Sequence, residues 1–339
     1  MSSVFRWSDI IGHEEPIGML KRMLQNGNIQ HALLFTGPDG VGKSTVARHL
    51  AAAILCEDRH RGEACGVCSA CVTLSRGAHP DLYTISPEGT SIKIEQIRVM
   101  QREMAMSPCQ SQYRVCIIET AEHMTDQAAN SLLKVLEEPP AYLVFILTSN
   151  QRHRLLDTIV SRCRLFPFQP VLPAIIADTL VHKGINDDTA QAAARLSGGR
   201  IGTALKLAEP DGLEVRNSAL SLLERLAGAN PSAMDIAAGI YEQDDKQVLN
   251  LLRNLAMLLR DLLVLHTSQS EQLIFNADII GQLTALSRHW SDEALIRSYG
   301  EIRQAERALA SNANTRLTAE ALLIHLTELY KGGTSCCRQ

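Results

Sequence analysis

Aromatic residues are scarce in this sequence, at 4% of 339 residues, and positive charge is not in excess. The formal net charge is −4, which argues against a chain that binds polyanions over its whole surface. Apolar residues make up 45% of the chain, and leucine and alanine are abundant among them. We therefore expect a helix-rich globular protein rather than a disordered or all-β one, with two or three domains.

Long apolar runs are also missing. No run approaches the length of a membrane span, and the N-terminal residues lack the basic start and apolar segment of a signal peptide. We therefore expect a cytoplasmic protein that does not associate with membranes. The number of cysteines, nine, is odd. Because disulfides are rare in a reducing compartment, we do not expect scattered disulfides in this chain.

One stretch has both the spacing and the flanking pattern of a phosphate-binding loop. An apolar run ends at Thr36, the run Gly37-x-x-x-x-Gly42-Lys43-Ser44 follows, and a helical pattern continues to about Leu55. Glycines let backbone N–H groups turn inward around an anion, and the N-terminus of the following helix adds partial positive charge. We expect Lys43 to reach the β- and γ-phosphates and Ser44 to bind Mg²⁺.

The sequence therefore predicts a nucleotide-binding protein. Ile11 lies in the run Ile10-Ile11-Gly12, which is equally consistent with a core-packing turn. The predicted nucleotide-binding residues are Ile11, Gly37, Gly40, Gly42, Lys43, Ser44 and Thr45.

Four cysteines lie within sixteen residues, directly after the predicted helix of the phosphate loop. Two overlapping Cys-x-x-Cys pairs and one cysteine nine residues earlier can converge on a tetrahedral Zn²⁺. A site closed by four protein ligands is structural rather than catalytic. A redox-active Cys-x-x-Cys, or replacement of one ligand by His60 or His79, is an alternative. The predicted zinc ligands are Cys56, Cys65, Cys68 and Cys71.

The run from Arg114 to Glu119 has the pattern of a buried strand that ends in a carboxylate. In phosphate-loop ATPases an acid at this place holds Mg²⁺, and a second acid commonly follows it. Here Thr120 follows, and a threonine hydroxyl cannot act as a general base at neutral pH. Glu122 comes two residues later, and we expect it to face away from the site. The sequence therefore predicts slow or absent hydrolysis.

Two polar residues follow later apolar runs. Asn150 comes directly after a β-like run and could orient water or sense the nucleotide, although a turn asparagine is an equal alternative. Arg162 lies in the run Ser161-Arg162-Cys163, where it could reach the γ-phosphate of a neighbouring subunit. From this run alone, a surface arginine is the default interpretation of Arg162.

Apolar strand patterns alternate with helical ones up to the two prolines in Phe166–Pro170. This order predicts a mainly parallel sheet with helices on both faces. Small helices are expected in 171–208, and the pattern is helical throughout from about 213 onward. The predicted fold class is therefore α/β followed by all-α.

These features together resemble the bacterial clamp-loader AAA+ subunits of DNA polymerase III. The resemblance rests on the phosphate loop, the four-cysteine insert after it, the run Leu136-Glu-Glu-Pro-Pro140 and the run Ser161-Arg162-Cys163. Within this family, the motor subunit gamma/tau carries an Asp-Glu pair after the acidic strand and an arginine before Ala-Leu in its lid. Glu119-Thr120 and Gly202-Thr203 stand at those positions here, which resembles the delta prime subunits.

The resemblance implies an order of domains along the chain. An AAA+ nucleotide-binding domain is expected over 1–168, with the zinc module at 56–71 inside it. A helical lid is expected over 169–209 and a helical collar for oligomerisation over 210–331. Residues 332–339 are expected to form a flexible tail.

The resemblance also implies partners and a role. A delta prime subunit sits in a hetero-pentamer with gamma/tau and delta subunits, which loads the sliding clamp on primed DNA in replication. It offers Arg162 in trans to its motor neighbour, and Asn150 becomes a sensor residue and Glu119 a metal-site acid. Binding of ATP or ADP with Mg²⁺ is expected, with weak or no ATPase activity in isolation and no polymerase active site. The alternatives are a gamma/tau-like motor ATPase and a zinc-containing regulator that binds nucleic acid.

Overall fold

The computed structural model describes residues 5–228, 245–268, 273–311 and 313–334. It divides into two compact units. The first unit contains the described residues up to Thr179 together with Gly198–Thr203. The second contains Leu180–Ser197 and the described residues from Ala204 onward.

A five-stranded parallel sheet forms the centre of the first unit, with strand order β2-β3-β4-β1-β5. All residues of β1, β3 and β4 are buried, which explains why these segments read as continuous apolar runs. The strands are β1 (Ala32–Thr36), β2 (Leu82–Ile85), β3 (Arg114–Ile118), β4 (Leu143–Ser149) and β5 (Arg164–Pro167).

Nine α-helices begin in the described residues up to Thr203. They are α1 (Glu14–Gln25), α2 (Lys43–Leu55), α3 (Ser69–Ser75), α4 (Ile94–Met104), α5 (Asp126–Glu137), α6 (Asp157–Val160), α7 (Pro173–His182), α8 (Asp187–Leu196) and α9 (Ile201–Leu207).

The alternation of side chains along β1 divides the core of the first unit between the two faces of the sheet. Leu33 and Phe35 belong to a cluster that includes apolar residues of α1 and α2. Ala32 and Leu34 belong to a second cluster that includes residues of α4 and α5. The sheet is therefore covered by helices on both faces, as the sequence predicts.

A buried carboxylate that the sequence pattern does not reveal fixes the start of β2. Asp81 Oδ1 accepts a hydrogen bond from Cys109 N at 2.7 Å, and Oδ2 accepts from Gln110 N and Ser111 N at 2.8 and 2.9 Å. The Arg114 guanidinium lies 3.5 Å from Asp81 Oδ1. Burial raises the pKa of Asp81, but the three backbone donors outweigh it and hold the pKa below its usual value.

The second unit is helical in all its described elements of regular structure. A single cluster of mainly leucine side chains forms the core of its described residues between Ala219 and Tyr330. The helices that begin after Thr203 are α10 (Glu214–Leu226), α11 (Asp245–Thr267), α12 (Ile280–Ser287), α13 (Asp292–Ala310) and α14 (Thr315–Thr334).

The predicted helical character beyond residue 213 is therefore confirmed for the described residues. Helix α14 continues to Thr334, three residues into the stretch expected as a flexible tail, and residues 335–339 lie outside the description. The domain boundaries at 168 and 209 stay predictions. In the described part of the chain, none of the helices combines the length and apolar character that crossing a membrane requires.

Candidate nucleotide site and cysteine cluster

The predicted phosphate loop connects β1 to α2. Gly37, Gly40 and Gly42 have φ of 151°, 76° and 110°, values that favour glycine because side chains with a Cβ are strained there. A Cβ on Gly37 would lie 2.2 Å from the carbonyl oxygen of Phe168, so a larger residue does not fit. The Gly40 carbonyl accepts a hydrogen bond from Gly202 N at 2.9 Å.

Lys43 begins α2, and its side chain folds back over the loop. Its Nζ donates to the carbonyl oxygens of Gly37 and Pro38 at 2.8 and 2.7 Å. It also donates to Asn150 Oδ1 at 2.8 Å. The structure therefore places two of the predicted site residues, Lys43 and Asn150, in direct contact.

Glu122 lies beside Lys43 and Asn150, so the expectation that it faces away from the site is wrong. Its side chain is buried, and Oε1 accepts a hydrogen bond from Asn150 N at 3.0 Å. Burial lowers the pKa of Lys43, and the carboxylates of Asp39 and Glu122 partly oppose that shift. Glu122 Oε2 is buried and has no hydrogen-bond partner among the described residues.

The local backbone explains why Glu122 turns inward. Thr120 has left-handed backbone angles, φ 48° and ψ 53°, and a 3₁₀ turn over Ala121–His123 follows it. Thr120 N donates to Thr148 Oγ1 at 3.1 Å, which ties this turn to β4. The sequence does show two acids, Glu119 and Glu122, three residues apart after a buried strand. Nothing in the sequence indicates the left-handed backbone of Thr120, which turns Glu122 toward the site.

Glu119 follows β3 at the same carboxyl edge of the sheet. Its Oε1 lies 3.2 Å from the guanidinium of Arg48 on α2. Ser44 is half-buried and Thr45 is exposed, both in the first turn of α2. The ends of β1, β3 and β4 thus carry the phosphate loop, the acid and the asparagine that the sequence assigns to one site.

The segment around Ile11 is connected to the phosphate loop. Ile11 itself is buried, and His13 has left-handed backbone angles. The His13 Nε2 atom is 2.8 Å from the carbonyl oxygen of Val41, within the loop. A cleft of about 390 Å³ adjoins this segment. Its apolar lining includes Pro16, Met19, Val171, Leu172 and Ile175.

Arg162 lies two residues after the end of the short helix α6. Its side chain is 34% exposed. The terminal nitrogen Nη2 donates to Glu137 Oε1 at 2.7 Å, and Nη1 donates to the Thr158 carbonyl at 2.9 Å. Both bonds hold the guanidinium in one orientation at the surface of the first unit.

The four predicted zinc ligands come together. Their sulfur atoms all lie within 4.8 Å of one another. Two of the separations, Cys56 to Cys68 and Cys65 to Cys71, are 3.9 and 4.0 Å. Sulfur atoms at the corners of a tetrahedron around Zn²⁺ are about 3.8 Å apart, given a Zn–S distance of about 2.3 Å. The donor set and its spacing therefore fit zinc.

Backbone N–H groups point at three of the sulfur atoms. Cys65 N donates to Cys56 Sγ and Cys68 N donates to Cys65 Sγ, both at 3.3 Å. Cys71 N donates to Cys68 Sγ at 3.4 Å. Burial raises the pKa of Cys68, but donors from the backbone outweigh it and bring the pKa to about 7.

The two histidines considered as alternative ligands have other partners. His79 Nδ1 accepts a hydrogen bond from Asp81 N at 3.1 Å, and burial lowers its pKa. His60 pairs with Asp58 at 3.2 Å. The cluster consists of cysteines alone within the part of the chain that the structure describes.

Comparisons with known proteins agree with this architecture. Residues 12–172 match the family described as "DNA polymerase III, delta subunit", and residues 210–328 match "DNA polymerase III, delta subunit, C terminal". The chain is 31% identical over 314 residues to DNA polymerase III subunit delta′ of Bacillus subtilis, which covers 91% of this chain and 94% of that protein. It belongs to the DNA polymerase III delta′ family. The delta′ subunit of Escherichia coli is also 31% identical, with 91% of this chain and 92% of that protein covered.

Gamma/tau subunits resemble a smaller part of this delta′ family member. The gamma/tau subunit of Mycobacterium tuberculosis is 33% identical over 189 residues, which is 54% of this chain and 33% of that protein. A solved structure of a gamma subunit-related protein from Thermotoga maritima covers 93% of this chain with a TM-score of 0.50 and 21% identity. The predicted fold class, an α/β phosphate-loop core with a parallel sheet followed by helical regions, is thus confirmed.

Proposed function

We propose that this chain is the delta′ subunit of a clamp loader and supplies Arg162 to the ATP bound by a neighbouring gamma/tau motor subunit. The assembly is a hetero-pentamer that also contains delta and loads the sliding clamp on primed DNA. Family membership supports the subunit type. The trans-acting role of Arg162 rests on the side chain itself.

The observation that carries this role is the placement of the Arg162 guanidinium. It is partly exposed, and Glu137 and Thr158 fix its direction. An arginine that stabilises charge on a transferring phosphoryl group must be pre-oriented and must reach solvent, where the nucleotide of another subunit can meet it. Glu137 also gives the guanidinium a carboxylate partner that a phosphate can replace.

The chain's own site supports nucleotide binding more than hydrolysis. Lys43, Ser44, Thr45 and the loop glycines supply phosphate and Mg²⁺ contacts in this proposal, with Glu119 on the metal side and Ile11 beside the base. Thr120 stands where a second acid would activate water, and its hydroxyl donates to the Glu119 carbonyl at 2.8 Å. ATP or ADP therefore binds with weak or no turnover.

Zinc is the second proposed cofactor. Cys56, Cys65, Cys68 and Cys71 would hold it as a structural ion, since four thiolates leave no open position for a substrate. Bound zinc would cross-link a small loop-rich region and would take no part in catalysis.

Asn150 completes the proposed nucleotide site as a sensor residue through its contact with Lys43.

The test is Arg162→Ala in a loader reconstituted with gamma/tau, delta, clamp and primed DNA. We expect the assembly to form, as judged by gel filtration, and its ATPase rate to fall at least about tenfold, since an arginine in this role contributes roughly 10³–10⁵ where it is used. Arg162→Lys keeps the charge but loses the forked donor geometry, so it should recover little of the rate. Arg154→Ala is the matched control, because Arg154 is exposed on the same unit.

Unchanged turnover in the Arg162→Ala assembly would contradict the proposal. Rapid ATP hydrolysis by the isolated chain, abolished by Lys43→Ala, would instead support a gamma/tau-like motor.

A further inference from the structure

We infer that the cysteine cluster also positions the N-terminal segment of the nucleotide site, through the loop that joins Cys56 to Cys65. This loop, residues 57–64, is called the cysteine loop below. The inference rests on the zinc and nucleotide binding proposed above and adds a role for the metal module that is not local to it.

The first step is the contact between the cysteine loop and Trp7. The backbone N–H of Trp7 donates to Glu63 Oε1 at 2.8 Å, and its indole Nε1 donates to the Gly62 carbonyl at 2.8 Å. Trp7 is only 4% exposed. The indole has a single donor, so both N–H donors of Trp7 bond to the cysteine loop. A bond from an N–H to a carboxylate is also stronger than one between neutral groups.

The second step is the shape of the loop. His60 and Glu63 exchange two backbone hydrogen bonds at 3.1 and 2.9 Å and close a tight turn. The two residues within the turn, Arg61 and Gly62, both have left-handed angles, with φ of 52° and 77°. This turn directs the Gly62 carbonyl and the Glu63 carboxylate to the same residue, Trp7.

The third step is the contact of the cysteine loop with α1. Gln25 Nε2 donates to the Arg61 carbonyl at 2.9 Å. A Cβ on Gly62 would lie 2.9 Å from the Lys21 carbonyl, so the two backbones are in close approach. The cysteine loop thus contacts both Trp7 and the helix that follows it in the chain.

The fourth step is the anchoring of the loop ends. Cys56 and Cys65 bound to one metal ion would fix both ends of an eight-residue loop, and Cys65 N already donates to Cys56 Sγ at 3.3 Å. Loss of the metal removes this closure, so the loop gains conformational freedom and its hold on Trp7 weakens.

The last step leads from Trp7 to the phosphate loop. A 3₁₀ turn over Trp7–Asp9 is followed by Ile11 and His13. His13 reaches the Val41 carbonyl at 2.8 Å. Glu63 is therefore a positioning residue: it contacts Trp7 and acts on the nucleotide only through the segment that Trp7 anchors.

The test uses the full chain with Trp290→Phe, which leaves Trp7 as its sole tryptophan. Zinc is removed with a chelator, and Trp7 emission, acrylamide quenching and binding of radiolabelled ATP are measured. We expect a red shift, stronger quenching and a fall in ATP affinity of about five- to tenfold, within the usual range for coupled sites. Trp7 emission that is unchanged after zinc removal would overturn the inference.

Substitutions in the cysteine loop separate the coupling from the metal itself. Glu63→Ala should reproduce the emission shift and the loss of ATP affinity while zinc stays at one ion per chain. Glu63→Gln keeps an oxygen acceptor for Trp7 N and should restore most of both. Asp58→Ala is the matched control, because Asp58 is exposed on the same loop and pairs with His60.

Wild-type values for both readouts in Glu63→Ala would also overturn the inference. If the wild-type chain binds no ATP, the proposed nucleotide binding fails, while Trp7 emission still decides whether the cysteine loop holds the segment. Absence of zinc from the purified wild-type chain would contradict the zinc assignment and, with it, the inference.

Discussion

Asn150 accepts a hydrogen bond from the ammonium group of Lys43 at 2.8 Å, across 107 residues of sequence. The other two ammonium donors are used by the carbonyl oxygens of Gly37 and Pro38. A phosphate that contacts Lys43 must therefore replace at least one of these bonds. The Asn150 amide is the acceptor that can move with least cost, because it is a side chain and the others are backbone.

Glu122→Gln should change the pH dependence of ATP binding. The carboxylate of Glu122 raises the pKa of Lys43 against the effect of burial, so its removal lowers that pKa. The ammonium then loses its proton at lower pH, so the alkaline decline in ATP affinity should shift to lower pH. Equilibrium binding of labelled ATP between pH 7 and 10.5 measures the shift.

Glutamine keeps an acceptor for Asn150 N, so the fold around Asn150 should survive this substitution. Glu88→Gln is the control, since Glu88 is exposed in the loop after β2. Superimposable pH profiles of wild type and Glu122→Gln would show that Glu122 does not support the charge on Lys43.

Cys68→Ser should remove the proposed zinc ion. We expect one zinc per wild-type chain by elemental analysis and a much smaller fraction in the variant, because three thiolates hold zinc less tightly than four. The thermal unfolding temperature should fall as well, since metal binding contributes to folding free energy. Cys109→Ser changes an exposed thiol of the same unit and should retain the metal. Equal zinc content in the two variants would refute the assignment.

Asp81→Asn should destabilise the first unit and reduce its sensitivity to acid. The pKa of Asp81 is lower in the folded chain than in the unfolded one, so its contribution to stability is present above the unfolded pKa. That contribution is lost as the pH falls through the folded pKa. The stability of the wild type, measured by urea unfolding, should therefore fall below about pH 4, which is close to the pKa of an unfolded aspartate.

The asparagine variant should be less stable at pH 7 by about 2–4 kcal/mol, since an amide cannot accept three backbone bonds as a carboxylate does. Its stability should also depend less on pH between about 5 and 2. An acid response equal to that of wild type would assign the acid sensitivity to other carboxylates.

Gly37→Ala should disrupt the phosphate loop. The new Cβ would collide with the Phe168 carbonyl, and the φ of 151° is unfavourable for alanine. We expect a stability loss of about 3 kcal/mol or more and loss of ATP binding. Gly27→Ala is the matched control, because Gly27 also has positive φ but open space around it, so it should lose only about 1–2 kcal/mol and bind ATP normally. Equal losses in both variants would mean that the contact with Phe168 is relaxed at little cost.

The sequence predicts the central parts of the structure where spacing alone determines geometry. A glycine loop between an apolar run and a helical pattern allows few arrangements, and Lys43 lies where that motif requires. The short separations among Cys56, Cys65, Cys68 and Cys71 likewise limit their sulfur atoms to a small volume. Buried parallel strands were recognisable from continuous apolar runs such as β4.

Other contacts were not predictable because one partner is backbone. Asp81 is held by N–H groups of three consecutive residues, which have no side-chain signature. Glu122 turns inward because Thr120 is left-handed, a conformation that β-branched residues rarely adopt. The bonds from Trp7 to Gly62 and Glu63 join segments more than fifty residues apart, and each requires the folded chain.

The last strand of the sheet limits how this protein can meet its neighbours. β5 lies at one edge, spans only four residues and ends in Pro167, whose nitrogen has no hydrogen to donate. Arg164 on the same strand places its guanidinium over the Phe166 ring, 5.6 Å from the ring centre. Another polypeptide cannot readily lengthen the sheet along this side by main-chain pairing. A partner that approaches this edge must therefore bind it through side chains, so point mutations on β5 can test the contact.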